Sequence, residues 1–188
     1  LRLDRKTRLL GVCAAALILS VSLVSPKPNA VRYIQLSAGN ADSAVILSGP
    51  HTWVIDTGEH SGDLSSFLLS QGRAVDKLIL THLHADHAGG LRQLMDNEVP
   101  IREILLPYGA QKAEINDGSL LLIKEAQAAG IPVMTLGAGD IFSAGRVSAE
   151  VLWPEYDAFY PGQDPNRGSL VLQLDLDGVS LLASGDIS

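Results

Sequence analysis

Cysteine is nearly missing from this 188-residue chain: the one copy, Cys13, lies within the first thirty residues. Residues 31–188 therefore rely on no disulfide and tolerate an oxidising compartment. Positive charge is also scarce. Residues 1–30 hold five of the 14 Lys and Arg and one of the 21 Asp and Glu, leaving −11 on residues 31–188. A surface this acidic does not hold polyanions by counterion release, so any nucleic-acid chemistry must work through metals and a local patch. There are no internal repeats, and there is no low-complexity tract outside the apolar N-terminal stretch. Gly137-Ala138-Gly139-Asp140 is not followed by the Lys and Ser or Thr of a phosphate-binding loop, so it reads as a turn. What the chain does have is apolar mass. Hydrophobic residues make up 46%, enough for one domain of ordinary size with a sizeable core.

The N-terminal segment stands apart. Arg2, Arg5, Lys6 and Arg8 precede an uncharged stretch over residues 9–26, and Lys27, Pro28 and Asn29 end it. These 18 residues reach across a bilayer's hydrocarbon core at about 1.5 Å each. Their positive flank stays cytoplasmic and places residues 31–188 outside the cytoplasm. A cleavable signal segment, giving a secreted domain, shares the same pattern. Cys13 comes too early for a lipobox and reads as a small apolar helix residue. The start at Leu1 and the end at Ser188, just past an apolar strand, lead us to expect a piece of a larger membrane protein.

Against that background one stretch is dense in chemistry. Leu78 to Leu80 reads as a short buried strand, and Gly89-Gly90 marks a break. Between them lie His82, His84, Asp86 and His87, written H-x-H-x-D-H, which use three of the five His. Imidazole and carboxylate together suit Zn²⁺, with Mn²⁺ and Fe also open. In a tight loop His82 and His84 converge on one ion while Asp86 and His87 face a second. The ordinary alternative is a solvated loop, or one His capping the next helix.

Around this stretch, residues 31–37, 43–47 and 51–55 read as a β meander that ends on Asp56-Thr57-Gly58. Asp56 is either an active-site carboxylate at a strand end or a turn residue capping the next helix. Helices are expected over 63–71, stopped by Gly72, and over 91–96. A third helix starts at Asp117 or Ser119, runs to about residue 128 and is closed by Gly130. Strands are expected over 100–107 and 147–152, and over 131–136, where Pro132 suggests a sheet edge. The loop over 155–168 carries three aromatics, which line a cleft or pin the loop down. A hairpin over 169–175 and 179–183, turned by Asp177-Gly178, delivers Ser184-Gly185-Asp186. Meanders on both sides of a helical middle imply two sheets with helices outside, of α+β class.

Asp56, the His cluster and Asp186 are thus three acidic strand ends. A carboxylate can bridge two cations about 3.5–4 Å apart, and such ions acidify water between them and neutralise charge on a phosphoryl or carbonyl oxygen. The residues point to a metal-dependent hydrolase.

Ile55-Asp56-Thr57-Gly58, the run from Thr81 to Gly90 and Ser184-Gly185-Asp186 resemble the metallo-β-lactamase fold superfamily. Within it, the chain is similar to the extracytoplasmic C-terminal domain of the ComEC-type DNA-uptake channel proteins. Gly39-Asn40-Ala41-Asp42-Ser43 stands beside that group's G-Q-G-D-S, and Asn166-Arg167-Gly168-Ser169-Leu170-Val171-Leu172 beside its N-x-S-L-V-L run. The resemblance covers residues 31–188 and implies a four-layer αββα sandwich, C-terminally truncated, behind a transmembrane or signal segment. It also implies two divalent metals, Zn or Mn, with His82 and His84 on the first, Asp86 and His87 on the second, Asp186 bridging and Asp56 orienting a ligand His. The implied activity is phosphodiester hydrolysis on single- or double-stranded DNA during uptake. A small-ester hydrolase of lactonase or choline-esterase type, or a catalytically impaired metal-binding domain, are the other readings. Two departures stand out. The superfamily's usual third His is replaced in the region of Asp164 and Asn166, which makes Asn166 a possible ligand. Family members carry a further His after the G-D strand, in a run like P-H-H-G-S, and the sequence stops at Ser188 before that position. His51 and His60 are assigned to neither gap, and His60, near Asp56, reads as a loop His.

Overall fold

Period-two apolar segments pair first in the computed structural model, which describes residues 30–36, 43–60, 62–112, 118–157 and 164–187. Strands β1 (Arg32–Gln35), β2 (Ala44–Ser48) and β3 (His51–Ile55) form the expected antiparallel meander. The next three strands are β4 (Lys77–Ile79), β5 (Ile104–Pro107) and β6 (Val133–Leu136). They run parallel to β3 and complete a six-stranded sheet in the order β1 to β6. Parallel neighbours need crossover connections, and the helices supply them. These are α1 (Gly62–Ser70), the short pair α2 (Ala85–Ala88) and α3 (Leu91–Asp96), and α4 (Ser119–Ala128). The meander reading therefore holds for the first three strands, whereas the middle of the sheet is parallel.

A second sheet follows. Strands β7 (Ile141–Ala144), β8 (Val147–Trp153), β9 (Val171–Leu176) and β10 (Val179–Ala183) pair antiparallel in the order β10-β9-β8-β7. The hairpin between β9 and β10 turns on Asp177 and Gly178, with φ of 60° and 88°, as a two-residue primed turn requires. Sequence reading missed β7, a four-residue edge strand between glycine-rich turns whose exposed and half-buried residues alternate. It also drew the strand before Pro107 too long, since Ile101 makes only an isolated bridge to Val75. Pro132 does precede an edge strand, and Gly137 to Asp140 is a turn closed by Asp140 N–H on the Gly137 carbonyl at 3.1 Å.

The core lies on both faces of the first sheet. Helix residues Leu64 and Leu68, Leu91 and Leu94, and Ile123 and Ala126 recur at helical spacing. They pack against Val45, Val54, Leu78 and Ile104 on one face. Ile46, Trp53, Ile79 and Leu105 point the other way, onto Ala149, Val151, Leu172 and Leu174 of the second sheet. Each buried Val, Leu or Ile among them contributes about 1.5–3 kcal/mol relative to staying exposed. Strands covered on both sides read as unbroken apolar runs, as β2 and β5 do. Among the described residues, then, there are three layers of the expected four: helix, sheet and sheet, with no α-helix after α4.

No helix among the described residues is long and apolar enough to cross a membrane, and the apolar stretch over 9–26 lies outside them. So do Gly39 to Asp42, the Asp117 cap, and Phe159 and Tyr160. The third aromatic of that loop, Tyr156, pins it to the body. Its ring lies edge-on to Tyr108 at 5.1 Å and its hydroxyl donates to Asp140.

Candidate metal centre

Three strand ends meet at one edge of the fold. Beyond β3, Asp56 takes a left-handed φ of 55°, costing of order 1 kcal/mol, and its N–H donates to the Ile79 carbonyl at 2.8 Å. This bend turns its carboxylate under the loop that follows β4. Thr81 N–H donates to Asp56 Oδ1 at 2.7 Å, and Thr81 Oγ1 donates to Oδ2 at 2.7 Å. His87 Nδ1 reaches the same Oδ2 at 2.8 Å. Asp56, Thr81, His82 and His87 are all 1–2% exposed. A buried carboxylate is tolerated only when such donors replace water.

The loop between β4 and α2 is held as firmly by its backbone. Thr57 donates to the His87 carbonyl from its N–H at 2.7 Å and from its hydroxyl at 2.9 Å. Gly90 N–H donates to the Gly58 carbonyl at 2.8 Å. A Cβ on Gly89 would lie 2.5 Å from the Ala85 carbonyl oxygen and 2.9 Å from that of Glu59, so the first glycine of the pair is required by close backbone approach. His84 occupies the N-cap position of α2, where its carbonyl accepts from His87 and Ala88 while its side chain makes no cap bond. The ring turns inward instead.

These constraints bring the expected ligands together. His82 Nε2 and His84 Nδ1 are 3.1 Å apart. Two imidazole nitrogens on a tetrahedral Zn²⁺, at about 2.0–2.1 Å each, sit roughly 3.4 Å apart, so the spacing fits one ion between them. His87 Nε2 is 3.5 Å from Asp186 Oδ2 and 3.9 Å from Asp86 Oδ2. Ligand atoms of His82, His84 and Asp86 fall within 4.8 Å of one another, as do those of His82, His87 and Asp186. His82 belongs to both groups, with its ring 4.1 Å from that of His87. The nitrogen and oxygen donors form one continuous cluster that fits divalent cations of the Zn, Mn or Fe kind.

Protonation follows from these positions. Burial, together with neighbouring His87 and His84, holds His82 down at about 4, so it is neutral at ordinary pH. Burial also works against a charged His87, but the Asp56 hydrogen bond and charge, with Asp186 and Asp86 beyond, push it up to about 9. His87 Nε2 therefore carries a proton below that pH, and a metal must displace it. We expect apparent affinity at that position to rise about tenfold per pH unit between pH 6.5 and 9, checked by isothermal titration with Zn²⁺ in buffers of differing ionisation enthalpy. A pH-independent affinity would mean that Asp56 and its neighbours do not hold His87 protonated.

The remaining sequence candidates divide. Asn166 sits in the 3₁₀ turn Pro165–Gly168, held by Trp153 Nε1 donating to the Arg167 carbonyl at 2.7 Å. Its Oδ1 is buried and makes no hydrogen bond. Leu170 N–H donates to the Thr81 carbonyl at 2.8 Å, tying this segment to the residue before His82. His51 starts β3, at the end away from Asp56, and lies 3.6 Å from Asp76. His60 is exposed between β3 and α1. Sequence reasoning passed over Thr81 and Thr57, whose hydroxyls are buried at the junction; a hydroxyl residue directly before His82 was the available signal.

Comparison with known proteins agrees with this geometry. Residues 36–104 match the family model of the metallo-beta-lactamase superfamily. A curated relative, the cGMP-dependent 3',5'-cGMP phosphodiesterase A of Dictyostelium discoideum, is 36% identical over 124 residues. That match covers 55% of this chain and 14% of the relative. Among solved structures, a metallo-beta-lactamase of Staphylococcus aureus superposes with a TM-score of 0.53 at 20% identity. The match covers 84% of this chain and 44% of that one. CmlA, a diiron beta-hydroxylase of Streptomyces venezuelae, superposes with a TM-score of 0.52 at 16% identity, covering 87% of this chain and 31% of its own. The chain spans well under two thirds of each of these proteins. The described part of residues 31–188 thus has the metallo-β-lactamase fold, and residues 36–104 match that superfamily's family model.

Proposed function

We propose that residues 31–188 form a metal-dependent hydrolase of phosphodiester bonds holding two divalent ions, with a DNA strand as substrate. The observation that carries this reading is the convergence of His82 with His84, and of His87 with Asp86 and Asp186, at one mouth. The phosphodiesterase relative supports the phosphodiester class. Zn²⁺ or Mn²⁺ held there would supply Lewis acidity for the phosphoryl oxygens and acidify water. The chain's own residues do the rest. Asp56 fixes the His87 ring from below, while Asp86 and Asp186, with side chains 48% and 43% exposed, stand at the mouth as acceptors for a proton leaving water. In the same reading residues 9–26 anchor the domain to a membrane, on its extracytoplasmic face, as part of a larger DNA-uptake protein.

The net charge of −11 on residues 31–188 favours a second reading, in which the substrate is a small phosphodiester or ester rather than a polyanion. The test is metal analysis of the purified full chain, followed by Mn²⁺- and Zn²⁺-dependent assays. We expect two ions per chain and cleavage of bis-p-nitrophenyl phosphate and of single-stranded DNA. Cleavage of cyclic nucleotides or lactones with DNA untouched would select the small-substrate reading. Fewer than one ion per chain, with no activity lost in His84→Ala, would sink the enzyme and leave an impaired domain that lacks the third His.

A further inference from the structure

Each ligand imidazole offers one nitrogen to an ion and needs a fixed partner for the other. His87 has an evident one, since its Nε2 faces Asp186 and Asp86 and its Nδ1 lies 2.8 Å from Asp56 Oδ2. His82 does not reach that carboxylate. Its Nε2 is turned to His84, and once Nε2 gives its lone pair to an ion the ring hydrogen must sit on Nδ1. The acceptor beside Nδ1 is Thr81 Oγ1, at 3.2 Å. Thr81 has spent its own hydroxyl hydrogen on Asp56 Oδ2, at 2.7 Å, and has lone pairs left to accept. Thr81 Oγ1 also lies 3.4 Å from His87 Nδ1, but that hydrogen has the shorter bond to Asp56. With an ion on each Nε2, the donors run one way, from His82 through Thr81 to Asp56, and from His87 directly to Asp56.

Packing fixes the hydroxyl as tightly as bonding does. Gly185, at φ 50°, presses on Thr81, and a Cβ there would stand 2.8 Å from Thr81 Cβ and 2.9 Å from Oγ1. The Thr81 carbonyl accepts from Leu170. One side chain thus touches the Asp56 bend, both buried His and the glycine before Asp186.

We propose that Thr81 is the positioning residue of the His82–His84 metal position, relaying Asp56 to His82 so that one buried carboxylate orients ligands of both ions. This rests on the metal-centre reading above. It predicts that the hydroxyl, rather than the methyl or the volume of Thr81, sets affinity. Thr81→Ser and Thr81→Ala both lose the methyl and differ only in the hydroxyl, while Thr81→Val keeps the shape. Asp56 retains Thr81 N–H and His87 in all three, so the junction keeps most of its bonds.

The experiment is Co²⁺ titration of the full chain, followed by visible absorption, with Zn²⁺ competition for affinity. Wild type and Thr81→Ser should show the strong bands of a tetrahedral site. Thr81→Ala and Thr81→Val should bind about 10–100-fold more weakly at one of two positions, with altered bands. Wild-type spectra and affinities in Ala and Val, or a loss in Ser as large as in Ala, would overturn the inference alone. Failure of both hydroxyl-free variants to fold while Ser is normal would also overturn it, in favour of a structural hydroxyl. A wild-type chain that takes up no Co²⁺ would remove the metal centre itself.

Discussion

Asp86→Ala should lower metal-dependent hydrolysis by at least ~10³-fold while moving the thermal midpoint by no more than about 1–2 °C. The two effects separate because of where the side chain sits. Asp86 is on the four-residue helix α2, 48% exposed, and within 3.9 Å of His87 Nε2. Asp86 is not among the buried residues of the core, so its removal deletes no core packing. Once an ion is bound the loss is different, since a charged oxygen ligand worth several kcal/mol goes, and each 1.4 kcal/mol is about tenfold in rate. Activity and scanning calorimetry on one preparation decide it. A broad or collapsed thermal transition in the variant would show that Asp86 belongs to the scaffold and not to the chemistry.

Asp56→Ala should do the reverse, destabilising the apo chain by about 3–5 kcal/mol before any question of activity arises. Its carboxylate accepts from Thr81 N–H, Thr81 Oγ1 and His87 Nδ1, and all of these are buried. Alanine would leave three donors without an acceptor and would itself occupy a left-handed backbone position. Asp56→Asn tolerates that backbone and keeps one oxygen, so it should cost less, about 1.5–3 kcal/mol. Urea denaturation of the two variants without metal checks the order. Equal and small losses would mean that the junction is held by Thr57 and the glycines alone.

The contrast between these carboxylates also shows what could be read in advance. The H-x-H-x-D-H run is local, so its ligands are visible as text, and a four-residue helix followed by Gly89-Gly90 suffices to fold them inward. Asp56 and Asp186 were legible as acids beside glycine at strand ends. Their meeting was not, because it depends on β3 lying beside β4 and on β10 closing from the other sheet. The parallel middle of the first sheet escaped for a related reason. Three-residue β4 and four-residue β5 carry too little pattern to reveal direction, which is set by the helices that cross over between them. Thr81 carried only a weak local signal, its place directly before His82: a threonine at a strand end is common, and only three-dimensional neighbours give it a role. Length separated the helices from the strands well, and α3 falls on the expected residues 91–96.

The candidate ligands come from two sheets, and this has a mechanical meaning. Asp56 and the three His ride on the six-stranded sheet, whereas Asp186 rides on the end of β10 in the four-stranded one. The slab of side chains between the sheets, Trp53 and Ile79 against Val151, Leu172 and Leu174, is therefore the spacer that sets how far Asp186 stands from His87. A close-packed interior does not stretch to absorb an added methylene. Substitutions in that slab act as a calibration of the gap at the mouth, and drift in a sequence's interior becomes drift in the distance between Asp186 and His87.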